Sequence, residues 1–211
     1  MAPNPNVFVS STFFDLIDVR SEVEQLLRGM GLTPRLSDST GSDFAVPTAG
    51  NSIETCLSNV RTSGLVLVIL SQRYGSTLDA FGYKGLSATH AEYQEAKKAR
   101  IPVRVYVRDR LEGDYATWRR NSGSASVVYP WVQDPKDHGL FRLLEEHRKP
   151  FKRKKSLPSN WVTPFTSVTD IKKTLQRDLR IAVEQTWASL PAGRGSVSVP
   201  RLYPSRGREV P

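Results

Sequence analysis

The sequence predicts an α/β domain with a mostly parallel sheet. Short β-branched and apolar runs alternate with amphipathic segments through residues 6–108, and this alternation is typical of a parallel sheet covered by helices. The run Leu65–Leu70 is apolar at every position, as expected of a central strand buried on both faces. Right-handed crossovers would bring the loops after the strands to one edge of the sheet, where such folds bind ligands.

The first strand and helix are predicted from the N-terminal pattern. Residues 7–9 form a short β-branched and aromatic run, and three hydroxyl residues follow it at positions 10–12. Thr12 and Asp15 are spaced like a capping pair at the start of a helix. One apolar face of that helix is formed at three- and four-residue steps by Leu16, Val19, Val23, Leu26 and Met30.

The alternation continues toward the middle of the chain. Residues 32–36 predict a second strand, and the composition of residues 37–50 predicts a loop. A second amphipathic helix, with Cys56 on its apolar face, precedes the strand at 65–70. The segment 71–86 is expected to be a Gly-rich loop.

A third helix and a fourth strand complete the predicted core. The helix is expected over residues 89–99, where Pro102 prevents its continuation, and the strand over residues 103–107. The pattern then weakens, and residues 109–137 are expected to be an irregular insert. A short helix is predicted over 138–149.

The C-terminal third is predicted to complete the same domain. A basic edge strand is expected at 151–155, and Ser167 with Asp170 begins a long helix. We therefore expect a single domain over residues 1–190. Residues 191–211 are rich in Gly, Pro, Ser and Arg and predict a disordered basic tail or a linker.

Composition and missing motifs exclude several classes of protein. The single cysteine excludes an intramolecular disulfide and a cysteine-built zinc site, and the three histidines lack metal-ligand spacing, so we expect no metal. The absence of a P-loop and of a dinucleotide fingerprint argues against an NTPase or a nicotinamide redox enzyme. No apolar run could span a bilayer and the N-terminus lacks signal-peptide features, so we expect a cytoplasmic protein without membrane contact.

The chain is strongly basic. It carries 30 Lys and Arg against 21 Asp and Glu, a formal net charge of +9. Much of this charge lies in the cluster at residues 148–155 and in the tail. We expect a solvated basic edge there. Nucleic-acid binding is a weaker alternative, because Phe151 is the only aromatic residue of the cluster on which a base could stack.

Three motifs in order resemble the DUF4062 family. They are SSTFFDL at residues 10–16, RYG at 73–75 and SATHAEYQEA at 87–96. The chain departs from the family pattern at Val19, where Glu is usual, and at Ala88, where Ile is usual. The family is similar to TIR domains and nucleoside 2-deoxyribosyltransferases, and this resemblance implies a flavodoxin-like (Rossmann-like) domain of three layers.

The resemblance also implies a catalytic role for Glu92. Members of the wider group often cleave an N-glycosidic bond in NAD or a nucleoside, using a glutamate at the start of the helix after the third strand. We therefore expect a TIR-like effector of a defence or signalling system, with NAD or a nucleotide as substrate and no bound cofactor. The implied ligand-binding residues follow the predicted strands and begin the third helix: Ser10, Ser11, Thr12, Asp15, Arg73, Tyr74, Gly75, Ser87 and Thr89.

Structural roles for these residues stay open. Thr89–Glu92 has the spacing of a capping box, Asp15 could pair with Arg20 along the first helix, and His90 is expected to be exposed. The alternative function is a non-catalytic module for self-association, or for contact with a partner in a larger signalling NTPase system. The two functions differ in whether the Glu92 carboxylate faces a pocket or its own helix.

Overall fold

The fold is taken from a computed structural model of the chain. It describes residues 6–37, 51–121, 126–149 and 160–188, with side chains up to residue 181. Nearly all of the predicted loop at 37–50, the predicted edge strand at 151–155 and the predicted tail lie outside these described residues.

Internal contacts divide the chain into two compact units, Met1–Gln176 and Arg177–Pro211. The sheet and the sites described below belong to the first unit. The predicted extent of a single domain, residues 1–190, stays a prediction.

Seven strands are present in the described residues. The strands are β1 Asn6–Ser11, β2 Thr33–Arg35, β3 Leu65–Leu70, β4 Thr77–Leu78, β5 Tyr83–Ser87, β6 Val103–Arg108 and β7 Val162–Phe165. Five of them form a parallel sheet in the order β2-β1-β3-β6-β7, while β4 and β5 form a separate antiparallel hairpin. Counted without the hairpin, the order is the 2-1-3-4-5 of flavodoxin-like folds. The predicted fold class is confirmed.

The neighbouring strands β1 and β3 mark the point where the strand order reverses. Ser10 lies opposite Val68 and Ser11 opposite Ile69, so the two strands end at the same edge. The chain leaves β1 toward β2 on one side and leaves β3 toward β6 on the other. Flavodoxin-like folds bind ligands in the crevice at this switch point, which is where the predicted site residues follow their strands.

Helices cover both faces of this sheet. The helices are α1 Ile17–Gly29, α2 Ser52–Arg61, α3 Ala88–Lys98, α4 Asp109–Arg120, α5 Gly139–Arg148 and α6 Val168–Ala188. Val66 and Val68 of β3 share one core with Tyr93 of α3. Leu67 and Ile69 are equally buried and point to the opposite face. The predicted burial of β3 on both faces is confirmed.

Two segments predicted to be irregular contain regular structure. The expected insert at 109–137 begins with α4, whose acidic first turn, with Asp109 and Glu112, and basic last turn match the helix dipole. The expected loop at 71–86 contains the β4–β5 hairpin around a 3-10 turn at Asp79–Phe81. The predictions were wrong for these residues, because Gly and Asp also occur inside short regular elements, and right for residues 126–134, which contain no helix or strand.

Helices α2, α3, α5 and α6 agree with their predicted positions to within one or two residues, whereas α1 begins only at Ile17, later than a cap at Thr12 predicts. The helix predicted at 138–149 is α5, and the predicted capping of α6 is confirmed because the Ser167 Oγ accepts a hydrogen bond from the Asp170 N–H at 3.2 Å. The edge strand β7 was not predicted. Among the described residues, no helix combines the length and apolar character needed to cross a membrane.

Candidate functional site

Glu92 lies in the second turn of α3 and points toward β1. Its side chain is buried, with 6% of the residue exposed. The Ser10 hydroxyl donates a hydrogen bond to Glu92 Oε2 at 2.5 Å. Ser10 is the fifth residue of β1 and is itself 1% exposed, so this bond joins the end of the strand to the helix inside the protein.

The capping role considered for Glu92 is wrong. The helix begins at Ala88, and its N-cap is Ser87, whose Oγ accepts a hydrogen bond from the His90 N–H at 3.4 Å. Glu92 is therefore the fifth helical residue, beyond the third position from which a capping-box side chain reaches back. Thr89 is buried in the first turn.

Arg20 adds a buried positive charge to this group. The residue is 4% exposed, and its Nη1 donates hydrogen bonds to the Ser11 hydroxyl at 2.6 Å and to the Ser11 carbonyl at 3.2 Å. The predicted pairing of Arg20 with Asp15 along the helix is wrong. Arg20 turns toward the end of β1 because it lies on the buried face of α1, between Val19 and Val23.

The carboxyl group of Glu92 titrates near neutral pH in this environment. Burial raises its pKa to about 7, while the Ser10 hydrogen bond, the Arg20 charge and the Cys56 thiol act in the opposite direction. Burial and the nearby carboxylate raise the pKa of Cys56 to about 12. Burial lowers the pKa of Arg20, against the attraction of Glu92. Ser10, Ser11, Arg20, Cys56 and Glu92 are called the Glu92 cluster below.

Cys56 belongs to the cluster and is more than a packing residue. It lies on α2 and is only partly buried, where the sequence predicted a core position. A hydrogen bond between its thiol and the Glu92 carboxyl favours the ionised carboxylate. Three helices and one strand thus contribute to the surroundings of a single carboxyl group.

Asp15 connects the loops that follow β1 and β3. Thr12 Oγ1 donates to Asp15 Oδ1 at 2.5 Å, and Asp15 Oδ2 accepts the N–H groups of Gln72 at 2.9 Å and Arg73 at 3.2 Å. The predicted capping of the first helix by Thr12 and Asp15 is wrong, because α1 begins at Ile17 without a side-chain cap. The pair instead fixes the backbone at the switch point.

Tyr74 and Gly75 hold the loop after β3 in place. The buried Tyr74 donates its N–H to Asp137 Oδ1 at 2.7 Å, and its hydroxyl lies 2.7 Å from His90 Nδ1. His90 was expected to be exposed, but it is buried, with 4% of the residue exposed. Its Nε2 lies 2.9 Å from Glu146 Oε2. Gly75 has a φ of +86°, which favours glycine. These contacts support structural roles for Tyr74 and Gly75.

A cavity of about 380 Å³ opens beside these loops. Its lining residues come from the loops after β1 and β3 and from the segment before α5: Phe14, Asp15, Gln72, Arg73, Gln133, Asp134, Lys136 and Asp137. Glu92 is not among them. The predicted residues therefore separate into the buried Glu92 cluster, the wall of this cavity with Asp15 and Arg73, and the supporting contacts of Tyr74, Gly75 and Ser87.

Sequence reasoning missed two contributors to the site. The first is Arg20, although a charged residue on the apolar stripe of a predicted helix requires a buried partner, and that signal could have identified it. The second is the segment Gln133–Asp137, which carries no motif and reaches the cavity only through the tertiary fold. Within the described ranges, no cluster of His, Cys, Asp and Glu could hold a metal ion.

The strand order and the buried carboxyl group define a class of domain. It is a flavodoxin-like α/β domain with a polar cluster at the switch point of its parallel sheet. The model of the family described as domain of unknown function DUF4062 matches residues 6–180, and the chain belongs to this family. No curated protein matches the chain significantly.

Proposed function

We propose that this domain cleaves the N-glycosidic bond of NAD or a nucleotide, as TIR domains and nucleoside 2-deoxyribosyltransferases do, with Glu92 as the acting carboxylate. The observation that supports this proposal is the position and state of one side chain. Glu92 is hydrogen-bonded to Ser10 next to the switch point, and its pKa of about 7 leaves a substantial fraction ionised at neutral pH. Strongly shifted carboxyl groups of this kind concentrate at functional sites.

Cleavage of the N-glycosidic bond needs a negative charge next to the ribose C1′ atom. When the bond between ribose C1′ and the base nitrogen breaks, the electron pair leaves with the base and positive charge develops on the ribose ring. A carboxylate below C1′ stabilises that charge or attacks the carbon, as in glycoside hydrolysis. Water then supplies the hydroxyl group at C1′ and releases a proton, so NAD and water give nicotinamide, ADP-ribose and a proton.

The other members of the cluster keep this carboxyl group oriented and partly ionised. Ser10 fixes one oxygen, and the charge of Arg20 favours the carboxylate over the neutral acid. Preorganised charge in a site of low dielectric is typically a large contribution to catalysis. Because Glu92 is 6% exposed, substrate contact requires a movement that uncovers its carboxyl group.

The test is an assay of the full chain with NAD, NADP and nucleosides. Separation of free base from ribosyl product by chromatography identifies cleavage at C1′–N, and assays at high protein concentration include assembled protein. We expect release of nicotinamide or base by the wild type and a loss of two to three orders of magnitude in Glu92→Gln. A wild-type chain that is inert toward all these substrates, including when assembled, would refute the proposal.

A second candidate function is a non-catalytic module for self-association or partner contact. The burial of Glu92 favours it, as do three exposed apolar side chains around the start of α1: Phe13 at 41%, Phe14 at 79% and Ile17 at 55% exposure. If these residues form an interface, Phe13→Ser and Ile17→Ser lower the association state in sedimentation. Self-association is refuted if both variants and the wild type are the same monomer.

Nucleic-acid binding stays a weaker prediction. Residues 150–155 of its basic cluster lie outside the described residues, and Arg148 is held by Glu112 through two hydrogen bonds at 2.7 and 2.8 Å. Binding to single- or double-stranded nucleic acid at low salt, reduced when Lys152–Lys155 become alanine, would support it.

A further inference from the structure

The cavity beside the switch point has the size of a small-ligand site. Its volume of about 380 Å³ falls within the range of roughly 300–1,000 Å³ typical of such sites. Its walls come from three chain segments, two of which are joined by hydrogen bonds from the backbone of Gln72 and Arg73 to Asp15. This pinned backbone favours binding because little further ordering is needed when a ligand enters.

The carboxylates of the cavity are already engaged. Asp15 accepts three hydrogen bonds, and Asp137 accepts the N–H of Tyr74 at 2.7 Å. Asp134 forms an ion pair with Lys136 at 2.6 Å and accepts its N–H. These internal partners reduce the repulsion that the acidic side chains would exert on an anionic ligand.

Arg73 is the cation of this cavity that remains open to a ligand. Arg73 is exposed, and its guanidinium has no hydrogen bond or ion pair to any other described residue. Its contact is with the ring of Phe14, 5.9 Å from the guanidinium carbon to the ring centroid. A guanidinium group presents paired N–H donors that match the oxygens of a phosphate.

Phe14 offers an aromatic surface next to this donor. It is 79% exposed, and Phe13 supports it edge to face at a centroid distance of 5.5 Å. A planar base that stacks on an exposed ring removes apolar surface from water, and such stacking tolerates different bases. An aromatic surface and a phosphate-binding group at the mouth of one cavity match the two ends of a nucleotide.

We propose that Phe14 and Arg73 form a nucleotide-binding subsite, in which the base stacks on Phe14 and a phosphate binds Arg73. This inference rests on the proposed function, since it assigns where that substrate's nucleotide part binds. The subsite also distinguishes nucleotides from nucleosides. Phosphorylated nucleotides and dinucleotides bind more tightly than the corresponding nucleosides, because only they carry the anionic group that Arg73 recognises.

The test measures binding separately from turnover. Titration calorimetry with the Glu92→Gln chain uses ADP, adenosine and inorganic phosphate as ligands. We expect ADP to bind more tightly than adenosine, Arg73→Gln to weaken ADP about tenfold while leaving adenosine unchanged, and Phe14→Ser to weaken both about tenfold. Two exposed residues away from the cavity give matched controls, Arg119→Gln and Phe81→Ser, which should leave each affinity unchanged.

The possible results separate this inference from the proposed function. Unchanged ADP affinity in Arg73→Gln and Phe14→Ser, an equal loss in Arg119→Gln, or no binding of ADP to the parent chain would overturn the subsite. If the expected binding pattern occurs while the wild type cleaves none of the substrates, the subsite stands and the proposed function fails. If the wild type cleaves NAD with an unchanged KM in Arg73→Gln and Phe14→Ser, the function stands and the subsite fails.

Discussion

The Ser10 hydroxyl donates a 2.5 Å hydrogen bond to Glu92, a residue 82 positions later in the chain. This bond joins the end of β1 to the second turn of α3 and fixes the carboxyl group next to the switch point. Ser10 therefore connects the fold to the proposed chemistry.

Removal of the Ser10 hydroxyl should raise the pKa of Glu92 further above about 7. A hydrogen bond to a charged group is worth about 1.5–3 kcal/mol, which corresponds to a shift of about one unit or more. Ser10→Ala can be followed by NMR through the pH dependence of the Glu92 carboxyl carbon shift. The exposed Ser76 provides the control Ser76→Ala. Equal titration curves in Ser10→Ala and the wild type would mean that the hydrogen bond does not act on the carboxylate.

The raised pKa of Glu92 predicts a particular dependence of stability on pH. The folded state holds a proton on Glu92 up to about pH 7, whereas the unfolded state loses it near 4.5. The stabilisation from this proton is fully present below pH 4.5 and is lost as pH rises through 7, with a total of about 3 kcal/mol. Because other groups also titrate, the measurement is the difference in unfolding free energy between wild type and Glu92→Gln at each pH. A difference that is constant from pH 4.5 to 7 would contradict the raised pKa.

Loss of the Asp15 carboxylate should loosen the loop after β3. Asp15→Ala leaves the N–H groups of Gln72 and Arg73 without their acceptor, at a cost of about 1–3 kcal/mol. Hydrogen exchange of these two amides should accelerate, and urea denaturation should report the loss of stability. Asp18→Ala, an exposed change on α1, should leave both amides unchanged. Equal protection in Asp15→Ala and the wild type would refute this role.

Gly139 should tolerate no side chain, because a Cβ there would lie 2.4 Å from the Tyr74 ring. Gly139→Ala forces Tyr74 to shift and should cost about 1–3 kcal/mol. Gly113 in α4 has open space at its Cβ, so Gly113→Ala should instead stabilise by about 0.5–1 kcal/mol through helix propensity. Urea denaturation of both variants checks this pair, and destabilisation of equal size in the two would show that the Tyr74 contact is not the cause.

The parts of the fold predicted correctly are those that periodicity encodes. The apolar run of β3 and the stripe on α1 depend on local spacing, and local spacing is visible in a sequence. The short strand β7 was missed because it is stabilised mainly by pairing with β6, which lies far away in the sequence. The β4–β5 hairpin was missed because its turn has the composition of a loop. Propensity is a weak signal for such short elements.

The site was predicted less completely than the fold. Motif resemblance identified Glu92 and Ser10, yet their hydrogen bond became evident only once the strand and the helix were placed together. Arg20 and Asp15 were both assigned local roles along α1, whereas their actual contacts are with Ser11 and with the loop after β3. Long-range polar contacts leave little trace in spacing, because a hydrogen bond requires proximity in space and not in sequence.

Two substitutions on the same helix show whether Glu92 acts as a carboxylate on a nucleotide's N-glycosidic bond. Glu92→Gln removes the buried charge at nearly constant size. Glu95→Gln makes the same change three residues later, where the side chain pairs with Arg61 at 2.6 Å. The measurement is the rate of base release from NAD by each purified chain under conditions where the wild type is active. We predict a loss of two to three orders of magnitude in Glu92→Gln and a near wild-type rate in Glu95→Gln. A rate in Glu92→Gln equal to that of the wild type would show that Glu92 is not the acting carboxylate.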